Sequence, residues 1–230
     1  MAVAYVASRG SAQNKTAEAG TAITVASVTL GSRLIVLCGY DDNGVISSVT
    51  DNQSNTYVED AAKVAFSGAA ASIWSAKITS GSAPTSVTVN WSTQPAAKAL
   101  RVFEFSGTAD SGYAGTPGTA SGAGGGTDVG PTSLTVDPGE AGAGLIVAEA
   151  PATVFIGSGP DWATGQVDVA TSGGGSASNI ANRSIASTDG QDGSAKADLG
   201  SADWVAISLV YRPLVERVPR FTSYPQILAH

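Results

Sequence analysis

Short stretches in which larger apolar side chains alternate with small or polar ones recur along the whole of this chain, and that period belongs to half-buried strands. Residues 2 to 8 and 22 to 30 have it, and in 86 to 92 the alternation predicts Val87, Val89 and Trp91 on a core face with Thr88 and Asn90 facing water. Other runs are apolar almost without interruption: Arg33 to Tyr40 reads as a more deeply buried strand, and Gly144 to Ala150 and Asp203 to Tyr211 are further apolar runs. Turn signals punctuate them. Asp41-Asp42-Asn43-Gly44 carries an Asn-Gly pair that adopts positive φ cheaply, and Asp51 to Asn55 is a second turn cluster. Further strands are predicted at 45–50, 56–64, 72–78, 99–106, 133–137, 153–156, 166–170, 179–187 and 194–199, the short spacing of an all-β sandwich.

Two of these runs echo one another. Thr29 to Cys38, with Leu34-Ile35-Val36, is answered roughly 110 residues later by Glu140 to Glu149, with Leu145-Ile146-Val147. The same alignment sets Ser72–Ile78 against Asn179–Ile185 and Ser86–Trp91 against Ser194–Leu199, and each half closes on an apolar run, Ala99 to Gly107 and Asp203 to Tyr211. One β-sandwich over residues 1–211 is therefore expected, with halves at about 1–107 and 132–211 joined by a glycine-rich loop, 108–131, each half burying its apolar face on the other. Residues 212–230 differ in kind. Prolines at 213, 219 and 225 predict an extended arm, and its three arginines against one acid make it about +2 beside about −9 for the rest. Such an arm either packs back on its own domain or lies on an acidic neighbour, with Arg212, Arg217, Arg220, Phe221, Tyr224, Ile227 and Leu228 as its docking residues.

Composition narrows the function classes. The formal charge of −7 disfavours a nucleic-acid partner, which needs clustered cations. No apolar run approaches the roughly 20 residues of a membrane span, and the N-terminus lacks the basic and apolar regions of a signal peptide, so a soluble product made in the cytoplasm is expected. Cys38, alone and inside an apolar run, reads as a core residue. The single histidine is His230, which removes Ser-His-Asp and Cys-His catalysis and ordinary histidine zinc sites, and no phosphate-cradling or dinucleotide fingerprint occurs, so neither catalytic residues nor a cofactor are expected. Asp51, Asn52 and Asn55 have the oxygen-rich look of a calcium loop without its twelve-residue pattern, which favours a turn. Asp41 with Asp42 and Glu59 with Asp60 are adjacent carboxylates, but adjacency does not set the separation glycosidases require. Of four tryptophans, Trp74, Trp91 and Trp204 fall inside strands; Trp162 lies in a loop and is the candidate for stacking on a sugar.

The run Val45 to Tyr57, then Ile73-Trp74-Ser75-Ala76-Lys77, Val87 to Trp91 and Val102-Phe103-Glu104-Phe105-Ser106-Gly107, resembles a β-sandwich module that recurs in proteins of tailed bacteriophages and bacteria. The chain departs from that pattern with Ser54 where glycine is usual and Ser75 where tyrosine is. The ending Tyr224-Pro225-Gln226-Ile227-Leu228-Ala229-His230 is similar to the C-terminal tails of virion proteins of actinobacterial phages. The resemblance implies a jelly-roll-like sandwich of two pseudo-repeated halves with an extended C-terminal arm. It also implies a structural virion protein, a minor tail or capsid decoration protein that assembles with other virion subunits and with its own copies on a symmetric lattice or ring. The alternative is a carbohydrate or host-receptor module that touches a surface glycan through Trp162.

Overall fold

The computed structural model describes residues 2–79, 81–123, 135–149, 154–155, 168–171, 178–186, 191–192, 198–199 and 203–214, and every helix or strand element among them is a strand. In chain order they are β1 (Ala4–Asn14), β2 (Gly20–Thr24), β3 (Arg33–Asp41), β4 (Val45–Asp51), β5 (Val58–Phe66), β6 (Ala69–Lys77), β7 (Ser86–Thr93), β8 (Lys98–Ser106) and β9 (Thr108–Gly122). There follow β10 (Thr135–Val136), β11 (Ala141–Glu149), β12 (Val154–Phe155), β13 (Asp168–Thr171), β14 (Ser178–Ala186), β15 (Gln191–Asp192), β16 (Asp198–Leu199) and β17 (Trp204–Pro213).

Antiparallel pairing gathers them into a five-stranded sheet β1-β8-β3-β6-β5, a three-stranded sheet β2-β7-β4, a second five-stranded sheet β13-β14-β11-β17-β9, and the short pairs β10-β15 and β12-β16. The first five-stranded sheet lies in the middle. Leu34, Val36, Cys38 and Tyr40 of β3 point to the three-stranded sheet, where they meet Ile23, Val49, Val87, Val89 and Trp91. Their neighbours Ile35 and Leu37 point the other way, with Phe103 and Phe105 of β8, into Leu145 and Val147 of β11 and Val205, Ile207 and Leu209 of β17. All nine residues of β3 are buried, which is why its sequence shows no polar alternation: neither face meets water.

The layering differs from the expected two-layer sandwich. The first half builds two sheets by itself, and the five-stranded sheet of the second half packs on its far side, so three large sheets are stacked. Two boundaries move as well. Thr108–Gly122, expected as the start of a loop, is the edge strand β9, paired with β17 from Trp204↔Gly122 to Pro213↔Thr108. Glycine serves a packing purpose there, since a Cβ at Gly122 would stand 3.1 Å from the Trp204 ring. At the other boundary β17 continues through Arg212 to Pro213, and the Leu214 N–H donates to Gly107 O at 2.8 Å, so residues 212–214 belong to the body. Proline is tolerated because it stands at the strand's last residue, after a register shift. The literal echo is out of phase: Leu34 and Val36 face the outer three-stranded sheet whereas Leu145 and Val147 face the interface between halves. A slip of one residue in an alignment of strands exchanges the two faces.

Buried polar side chains brace the layers. Arg33, at the start of β3, donates Nη1 to Ser75 Oγ (2.9 Å) and Nη2 to the carbonyls of Ala109 (3.0 Å) and Asp110 (2.8 Å) in β9. Beside it the Tyr211 hydroxyl of β17 donates to Asp60 Oδ2 of β5 at 2.9 Å, and the Tyr211 ring meets Phe105 edge-on at 5.8 Å. Burial pushes the Asp60 carboxyl above its ordinary range, against the lowering influence of Ser75, Tyr211 and Arg33.

Replacing Tyr211 with Phe leaves Asp60 short of a donor across the interface and is expected to cost about 1–3 kcal/mol by urea denaturation. Because the folded-state pKa of Asp60 is raised, its favourable contribution is full below the unfolded value of 3.8 and is lost as pH rises through the folded value. The stability of wild type relative to Asp60→Asn should therefore increase as pH falls from neutral towards 4. Denaturation of both proteins across that range checks the sign, and a constant difference would refute it.

Candidate functional site

The polar residues singled out by the sequence gather at the two poles of the first half. At one pole the turns β1–β2, β3–β4, β5–β6 and β7–β8 converge. Lys98, buried at the start of β8, places its amine over the Trp91 ring at 6.0 Å and donates to the carbonyls of Thr16 and Pro95, with Glu18 Oε1 3.8 Å away. Desolvation lowers its pKa while Glu18 and Asp41 raise it. Trp91 in turn donates its indole N–H to Thr21 Oγ1 (3.0 Å) and meets Tyr40 edge-on at 5.1 Å. The amine is thus a tether between two turns and the aromatic stack, with its donors engaged.

The adjacent carboxylates come apart here. Asp41 is buried and accepts the Ala97 N–H at 2.8 Å, whereas Asp42 is exposed and accepts the Gly68 N–H at 3.1 Å. Glu59 and Asp60 separate for a simpler reason, strand alternation: Glu59 stands opposite Trp74 on one face of β5, and Asp60 reaches Tyr211 on the other. Neither pair presents two carboxylates to a common substrate position.

At the opposite pole the cluster expected as a turn is one. Asp51 Oδ1 accepts from the N–H groups of Gln53 (2.9 Å) and Asn55 (3.1 Å), and Oδ2 accepts from Asn55 Nδ2 (2.8 Å) and the Tyr57 hydroxyl (3.2 Å). Asn52 Oδ1 accepts from the N–H groups of Thr85 (2.9 Å) and Ser86 (3.2 Å), and Asn55 Oδ1 from Thr79 N–H (3.2 Å). The oxygens that suggested a calcium loop already have donors from the protein. Ser54 sits at φ 60°, in the left-handed region that glycine adopts without strain.

Cys38 is buried in the core of β3, and burial pushes its thiol up, away from reactivity. Trp91 and Trp204 are buried and Trp74 is half-buried. Of the docking residues, Arg212 is 60% exposed in β17, with Nε 3.9 Å from Glu140 Oε1. Arg217, Arg220, Phe221, Tyr224, Ile227, Leu228 and Trp162 lie outside the described residues. Sequence reasoning missed the interior ions. Glu104, sealed in β8, pairs with Arg9 and accepts the Thr29 N–H at 3.1 Å, and Arg33 and Asp60 form the interlayer brace. Their signal was charge within otherwise apolar runs, as in Leu100-Arg101-Val102-Phe103-Glu104-Phe105.

Comparison with family models, with curated proteins and with solved structures finds no match.

Replacing Ser54 with Gly relieves the left-handed backbone and is expected to add about 1 kcal/mol, a rise of roughly 2–4 °C in the thermal midpoint for a chain of this size. Asp51→Ala removes four acceptor interactions and should lower stability by about 1–3 kcal/mol. Calorimetry of both variants tests the turn, and an unchanged midpoint in Asp51→Ala would contradict its role.

Proposed function

We propose that this chain is a structural subunit of a tailed-bacteriophage particle, a surface-displayed β-sandwich of the minor-tail or capsid-decoration kind, and that its halves are two copies of one jelly-roll unit. The observation that carries this reading is the order of the strands. A jelly roll wraps eight strands so that the first, eighth, third and sixth share one sheet while the second, seventh, fourth and fifth share the other. The first half has β1-β8-β3-β6 and β2-β7-β4; β5 alone departs, joining β6 in the first sheet. In the second half β9-β17-β11-β14-β13 repeats β1-β8-β3-β6-β5 position by position, and β10-β15 and β12-β16 stand where β2-β7 and β4-β7 would.

Two such units back to back form a stiff block, and the residues that carry the phage resemblance serve to hold it. Asp51, Asn55 and Tyr57 lock a turn, Phe103 and Phe105 fill the interface, Glu104 pairs with Arg9, and Gly107 turns the chain at φ 71°. A protein whose distinctive residues are spent on rigidity suits work done through its surfaces, by contacts repeated over a lattice or ring. The segment after Leu214, opposite in charge to the body, is the handle in this reading.

Deleting residues 215–230 should leave a chain with unchanged far-UV circular dichroism and a thermal midpoint within a few degrees of wild type. That chain should be missing from purified particles when their proteins are counted by mass spectrometry. Incorporation of the truncated chain at the wild-type copy number would overturn the proposal.

A further inference from the structure

The two long seams of the first half are finished differently. On one side β1 swings across to β2 through register shifts at Tyr5/Ala7 and Ser8/Gly10, close enough that a Cβ at Gly10 would stand 2.1 Å from Thr24 O, and Ala26 N–H reaches Arg9 O at 3.4 Å. That seam is closed. On the other side β5 pairs with β6 in the central sheet, so the three-stranded sheet lacks its fourth member, and no strand among the described residues pairs with the outer edge of β4.

Beside that edge lies a strip of the central sheet that the three-stranded sheet leaves open to solvent. Trp74 of β6 pairs with Val36 and so faces the three-stranded sheet, yet it is only half-buried, and its indole N–H is sealed from solvent without an acceptor. Exposed Glu59 of β5 stands opposite it. Val45, at the start of β4, is 43% exposed at one end of the seam. The charged groups there are Glu59, Asp42 and Lys63, and the Lys63 amine is engaged by the carbonyls of Asp42 and Gly44. An unpaired edge flanked by apolar side chains and a carboxylate is a template for an added strand that carries a cation.

We infer that this open edge of β4 receives residues 220–224 of a second copy of the chain as an added strand, with Arg220 or Arg217 answering Glu59. The inference rests on the docking role proposed above for the C-terminal segment. Arg220-Phe221-Thr222-Ser223-Tyr224 is bounded by Pro219 and Pro225, which lack the N–H needed to continue a ladder, and it contains β-favouring Phe, Thr and Tyr. Five pairing residues fit the seven of β4. A neighbour's segment suits the seat better than the chain's own. Leu214 leaves from the sheet two layers away, a straight crossing of about 20 Å, which the six steps from Leu214 to Arg220 match only when fully stretched, at about 20–22 Å, and a path round the edge strand β5 is longer still. A contact from the tail of one copy to the edge of the next is heterologous, the kind that closes rings.

Sedimentation equilibrium on the full chain provides the test. Wild type should associate with rising concentration, and either deletion of residues 215–230 or Glu59→Arg should weaken association at least tenfold. Arg220→Glu should do the same, and combined with Glu59→Arg it should restore most of the loss. Glu59 is exposed, so circular dichroism of its variant should match wild type. A chain monomeric at every concentration, or one that associates equally well without residues 215–230, overturns the inference. Association lost on deletion but untouched by Glu59→Arg also overturns the seat on β4, while leaving the handle, and incorporation into particles, standing.

Discussion

Everything in this fold follows from one sheet whose middle strand, β3, has no wet face. The strands β3, β6 and β8 must satisfy a packed layer on each side, and they do so by turning successive side chains to different cores, Leu34 and Val36 to one and Ile35 and Leu37 to the other. An antiparallel sheet of this kind has no room for the polar alternation that usually marks a surface layer. It also removes freedom to slip, because a shift of one residue would exchange two differently shaped sets of side chains at once. The central sheet therefore fixes the position of both its neighbours.

A doubly covered sheet makes buried charge expensive, and the buried charged side chains described above are accordingly held by hydrogen bonds or ion pairs. Arg33 spends its guanidinium on Ser75 and on the carbonyls of Ala109 and Asp110, Glu104 meets Arg9, and Lys98 gathers the carbonyls of two turns. Each links elements distant in sequence. These groups give orientation to a stack that apolar contact alone would leave free to slide. The Tyr211 to Asp60 bond is the clearest case, since it joins β17 of one half to β5 of the other.

Much of this architecture was legible in the sequence. Alternation placed Val87, Val89 and Trp91 on one face and the continuous runs marked β3 and β17, because local patterning reports how many faces of a strand are dry. The turn at Asp51 was legible too, since its donors lie within six residues of the carboxylate. The number of layers was not. A continuous apolar run tells that both faces are covered but not by what, and the glycine-rich strand β9 reads as a linker until Trp204 is seen to need the space. The interior ions escaped for the same reason: Arg33 reaches Ala109 and Asp110, 76 and 77 positions away, and Tyr211 is 151 beyond its partner Asp60, distances that no local pattern spans.

The geometry of the chain's crossings has a further consequence. Val3 bonds to Gly139, Leu214 bonds to Gly107, and Gly107 lies against Ala2, so the entry to β1, the passage between halves and the exit from β17 all meet at one pole. The far pole of the first half carries the connection Lys15 to Ala19 and the tight reversals at Asp41 to Gly44, Ser67–Gly68 and Pro95 to Ala97. Force applied through the C-terminal segment would enter the body on the same side as the opening strand. The antiparallel ladders on either side of it would then be loaded in shear along their length, the direction in which hydrogen bonds must break together and not one at a time. The distant loops would be left mechanically quiet and free to vary.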